Sequence, residues 1–233
     1  MSRREKGAFL SEFGTAVEMY TERVLRRCAA HVPHSIVTKI PESDRRRCDF
    51  AWKVGDDLIL LDSKRAGLSA RMLTGDQAIV QRLDDDLGHG CSQILSVVDE
   101  ANRDEWRDVA PGLDVEPGWR PRRIVGILVT HRPTYVWFRS ATELLERADI
   151  VEQWRASFGA ATPMILSLSE LELLEAALPQ LSMADFVSRI AAHDVPALSG
   201  MHLYLNSIGY RGPSLSPYYP ARAHEIRGCL RSL

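Results

Sequence analysis

The sequence predicts an α/β domain in which helices flank a mixed sheet, and three observations predict it. Apolar residues near the N-terminus recur at helical steps; an apolar hairpin, FAWKVGDDLILL, follows them; and RIVGILVT is an unbroken apolar run of the kind a strand buried on both faces carries. The order helix, strands, helix, strand, helix builds such a layered fold.

Taken in order, Phe9, Phe13, Val17, Tyr20 and Val24 step by three and four through residues 7–30, the stripe of a long amphipathic helix, with Glu18 beside it. Pro33, between His31 and His34, ends that helix, and SIVTKI reads as a short strand before the hairpin. The stretch RAGLSARMLTGDQAIVQRLDDDLGHG reads as a loop and a broken helix or polar excursion, and helical spacing returns through Ile94, Val97, Val98 and Ala101. VAPGLDVEPGWRPR is Pro/Gly-rich and reads as a linker. RIVGILVT and TYVWF are strands, and Ser140 with Glu143, then Ser169 with Glu172, have capping-box spacing. PMILSLS is a further strand, and two helices, SELELLEAAL and SMADFVSRIAAH, follow it around Pro179, with Leu171, Leu173, Leu174 and Leu178 as core. In the tail, Tyr204, Tyr210, Arg211, Tyr218, Tyr219 and Arg222 interleave aromatic and basic residues, as an ordered loop or a base-stacking surface does.

Composition narrows the classes. A chain of 233 residues with 45% apolar content can bury a substantial core. No apolar run approaches the roughly 18 residues a membrane helix needs, and MSRREKGAF has no signal core behind it, so a cytoplasmic protein with no membrane partner is expected. Cys28, Cys48, Cys91 and Cys229 lack the paired spacing of a zinc cluster or disulfide framework, and His89 with Cys91 has no second pair nearby, so the cysteines read as reduced packing residues. A net charge of −2 excludes a strongly basic nucleic-acid binder, leaving local patches such as Arg45, Arg46 and Arg47.

The hairpin raises the chemical question. If Gly55-Asp56 is a type II′ turn, Val54 pairs with Asp57, and counting outward sets Asp49 opposite Asp62. Opposed residues on one face stand about 4.5 to 5.5 Å apart at Cβ, where like charges repel, so the pair needs a cation. Lys64 lies one strand step beyond Asp62 on the same face and cannot neutralise both carboxylates alone. A hard divalent ion with oxygen ligands can, and Mg²⁺ suits two carboxylates that leave it several waters. LILL is apolar on both faces, as in a central strand, and charges are almost never buried there without partners.

Asp49, the turn, the apolar strand and Asp62-Ser63-Lys64 resemble the active-site pattern of the PD-(D/E)XK nuclease superfamily. The resemblance covers roughly residues 7–140; Cys48 stands where Pro often precedes the first Asp, and Asp62 where Glu is commoner. It implies a restriction-endonuclease-like core over residues 1–140, with residues 141–233 as a mostly helical extension packed on it or part of the same domain. It also implies a metal-dependent nuclease, DNA preferred to RNA, acting in restriction or anti-phage defence. Mg²⁺, with Mn²⁺ as substitute, would be held by Asp49, Asp62, the Ser63 carbonyl and Glu18, with Lys64 and Gln93 completing the catalytic set. Arg45, Arg46 and Arg47 would contact the nucleic-acid backbone, and a homodimer or partner subunit is an allowed assembly. The competing expectation is a catalytically silent domain of the same fold that binds nucleic acid or a protein.

Overall fold

The computed structural model describes residues 3–41, 47–64, 77–131, 145–146, 149–158, 163–194 and 200–212. Helix α1 (Arg3–Ala30) precedes β1 (Ser35–Lys39), β2 (Phe50–Val54) and β3 (Asp57–Lys64). After these come α2 (Gln77–Arg103), the single turn α3 (Trp106–Val109) and β4 (Arg123–Thr130). Helix α4 (Val151–Phe158), β5 (Met164–Ser167), α5 (Leu168–Ala177), α6 (Met183–Ala191) and α7 (Met201–Ser207) complete the described chain. Among the described residues, no helix is long and apolar enough to cross a membrane.

The five strands form one sheet in the order β1-β2-β3-β4-β5, antiparallel from β1 to β3 and parallel from β3 to β5. The fold is therefore α/β, with an open mixed sheet between helical layers. Side chains alternate along β3, and the two faces show it. Ile59 and Leu61 join Val17, Tyr20, Leu171 and Phe186 in one apolar cluster, while Leu58 and Leu60 join Cys91, Ile94, Trp106 and Trp154 in the other. This explains the unbroken apolar runs of β3 and β4, each of which has both faces covered. Residues on both sides of position 140 share this sheet and the first cluster.

Four local expectations need correcting. Residues 77–103 form one continuous 27-residue helix, where a break was expected before Cys91. The Pro/Gly-rich linker is packed structure: Trp106, Val109 and Leu113 are buried, and a Cβ on Gly112 would collide with the Thr38 side chain. The capping box of α5 is Ser167 with Glu170, two residues before the expected one, and Glu172 instead accepts a buried hydrogen bond from the Tyr20 hydroxyl. The tail contains α7, whose Tyr204 is fully buried against Phe186 and so is not a stacking surface. The TYVWF strand, the Ser140 box, Tyr218, Tyr219 and Arg222 lie outside the described residues.

Candidate active site

The hairpin register is the expected one. Val54 pairs with Asp57 and Phe50 with Leu61, and of the two turn residues Gly55 alone takes positive φ, at 59°. That is the type II′ arrangement, for which glycine carries no steric penalty. The ladder ends at Phe50, one step short of Asp49, which sits in a bend with its carbonyl accepting from Ile40 N–H at 2.9 Å. Asp49 is thus held between the ends of β1 and β3. Its Oδ2 accepts from the Ser63 amide at 2.7 Å and also from the Ser63 hydroxyl.

Asp62 is fully buried on the face of β3 that meets α2. Its Oδ2 lies 2.5 Å from Lys64 Nζ, and among the described residues its Oδ1 has no hydrogen-bond partner. Burial pushes this carboxyl up to about 8; Lys64 pulls it down, and the charges of Asp49 and Glu18 push it further up. Lys64 Nζ also donates to Gln93 Oε1 at 2.5 Å, and Gln93 Nε2 donates to the Arg47 carbonyl at 3.0 Å. Gln93 therefore fixes the lysine and ties it to the segment leading into Asp49.

Helix α2 approaches so closely because residue 90 is glycine. A Cβ there would lie 2.7 Å from Asp62 Oδ2, 2.7 Å from Leu128 Cδ2 and 3.0 Å from Lys64 Cε. Glycine inside a helix costs about 1 kcal/mol relative to alanine, so one retained mid-helix against β3 points to close approach.

The structure thus brings Asp49, Asp62, Ser63, Lys64 and Gln93 together at one end of the hairpin. Glu18 reaches this end only electrostatically; its carboxylate pairs with Lys39 Nζ at 2.6 Å. Arg47 is a correction. It makes a two-pronged ion pair with Glu100, donates to the Pro41 carbonyl at 3.1 Å, and leaves only 13% of its side chain exposed, so it holds the fold rather than a phosphate. Arg45 and Arg46 lie outside the described residues. Glu100, Lys39, Gly90 and the Ser63 hydroxyl were missed as parts of the site's surroundings. None of them had a local signal, since Gly90 falls in the stretch whose composition reads as a break.

Cys48 and Cys91 are buried beside Asp62, and burial raises both thiols well above their ordinary range. They are packing groups, as expected. Among the described residues, no group of three His, Cys, Asp or Glu side chains is arranged to hold a metal ion. What the site offers is two carboxylates, one with a buried oxygen that has no hydrogen-bond partner among the described residues. That donor set fits a hard cation that keeps most of its own water.

Comparison of the chain with protein-family models, with curated proteins and with solved structures finds no match in any of the three.

Proposed function

We propose that the chain is a metal-dependent nuclease that hydrolyses phosphodiester bonds, with DNA as its first candidate substrate and RNA as the competitor. One observation supports the reading: Asp49 and Asp62 lie near each other at one end of a buried sheet, Lys64 is held against Asp62, and among the described residues Asp62 Oδ1 is buried without a hydrogen-bond partner. An unmet buried carboxylate oxygen costs about 1–3 kcal/mol or more, which a purely structural pair has no reason to retain.

Asp49 and Asp62 would hold Mg²⁺ or Mn²⁺, with the Ser63 carbonyl as a further oxygen and Glu18 acting through water once it leaves Lys39. A bound cation of this kind polarises the scissile phosphate. Lys64 then has one defined place. Asp62 and Gln93 both contact its Nζ, which directs the ammonium to hydrogen-bond the attacking water or a phosphate oxygen and to offset charge that develops in the transition state. Gln93 keeps the amine from folding wholly onto Asp62. A restriction or defence role rests on the resemblance alone.

A second reading is a silent nuclease-like domain that binds nucleic acid or a protein. The lysine partners favour it: Lys64 already pairs with Asp62 and Lys39 with Glu18, so two of the three carboxylates have cations without any metal. Calorimetric titration with Mn²⁺ separates the two. Saturable binding to wild type that Asp62→Ala abolishes supports the nuclease; no binding, or equal binding to both, supports the silent domain.

A further inference from the structure

We infer that the Ser63 hydroxyl is a positioning group that decides which oxygen of Asp49 faces the cation. This rests on the proposed metal site. Asp49 lies beyond the last ladder pair, so no strand pairing fixes its side chain. Two donors from one residue of the neighbouring strand do so instead, and both converge on Oδ2. Oδ1 accepts no hydrogen bond among the described residues. Asp62 is held differently, by the ion-pair contact of Lys64 Nζ at its Oδ2, 2.5 Å away. Asp49 is thus anchored through one oxygen and presents the other.

Ser63 sits between Asp62 and Lys64 in sequence, and strand alternation turns its side chain to the opposite face of β3. It acts through Asp49 only. The resembled pattern admits any residue at this position, so a hydroxyl here is a property of this chain. Hydrogen bonds to an ionised carboxylate are roughly twice as strong as neutral ones. Partners that orient a metal ligand from behind typically change metal affinity by about 10- to 100-fold when removed. The Ser63 amide remains in every variant, so the hydroxyl's share can be isolated.

The test is calorimetric titration of the full chain with MnCl₂, comparing wild type, Ser63→Ala, Ser63→Thr and Asp62→Ala. Threonine keeps the hydroxyl and suits a strand. The expected result is an affinity about tenfold weaker in Ser63→Ala, recovery toward wild type in Ser63→Thr, and no binding in Asp62→Ala. Equal affinity in wild type and Ser63→Ala overturns the positioning role while leaving the metal site intact. A Ser63→Thr affinity as weak as that of Ser63→Ala also overturns it, since shape rather than the hydroxyl would then matter. Absence of binding to wild type overturns the metal site and the inference together.

Discussion

Two buried aspartates stand at opposite ends of β3, and the strand treats them in opposite ways. Asp57 is 1% exposed and accepts from the Nε and a terminal nitrogen of both Arg122 and Arg123, at 2.6 to 3.2 Å. Burial works to raise its pKa, but the hydrogen bonds and charges of Arg123 and Arg122 outweigh it and hold the carboxyl below its ordinary value. Asp62, also shielded from water, lies deeper in the protein with a single lysine contact, and burial pushes it up to about 8. The same residue type on the same strand meets two arginines at one end and a single lysine at the other. On the proposed function, that difference is what singles out the Asp62 end.

Removing each carboxylate should break the comparison in opposite directions. Asp57→Ala strands two arginines and should cost about 2–4 kcal/mol in urea unfolding, below the largest buried-pair values because 62% of the Arg122 side chain is exposed. Mn²⁺ affinity should stay unchanged. A loss of Mn²⁺ binding together with stability would erase the distinction between the two ends. Asp62→Asn should instead stabilise the protein in EDTA at pH 9, where wild type must hold the buried charge, while abolishing Mn²⁺ binding.

Their pH windows differ as well. Asp62 holds a proton in the native state that the unfolded chain releases near 3.8, so its contribution makes stability fall as pH rises from there to about 8, then level off. Urea melts in EDTA should therefore show wild type and Asp62→Asn converging at pH 4 and separating above it, with Mn²⁺ restoring wild type alone. Asp57 has the opposite sign. Its depressed pKa stabilises above the ordinary carboxylate value, and that contribution disappears as pH falls through the folded one. The gap between wild type and Asp57→Ala should close only in strong acid.

The smallest effect concerns the wall beside Asp62. Gly14→Ala, with nothing within 4 Å of the new Cβ, should stabilise α1 by about 1 kcal/mol. Gly90→Ala has the same propensity gain, but its methyl must displace Asp62, Leu128 or Lys64, so the net change should be a loss of about 1 kcal/mol with weaker Mn²⁺ binding. Matching gains at both positions would show that α2 does not press on the site.

Period and turn chemistry made the hairpin legible, because glycine at the first turn position and alternation along both strands leave one register that buries the apolar residues. Asp49, Asp62 and Lys64 followed from that register, and Gln93 from the resemblance. Arg47 was misread because its partner, Glu100, is a full helix away in sequence, and an arginine run looks the same whether it meets water or a buried glutamate. The unbroken α2 was hidden for a related reason. Local propensity counts Gly88 and Gly90 as breaks, whereas packing against β3 compensates for them. Thr21, Glu172 and Glu175 lie among the buried polar groups of the α1–α5 layer, which no periodicity announces.

The most direct test of the nuclease account is to incubate purified wild type and Lys64→Ala with supercoiled plasmid, linear DNA and RNA in Mg²⁺, in Mn²⁺ and in EDTA. The account predicts that wild type cleaves at least one polymer with either metal, that EDTA abolishes cleavage, and that Lys64→Ala loses about 100-fold or more. Cleavage that persists in EDTA or in Lys64→Ala, or wild type as silent as the variant on every polymer, would contradict it.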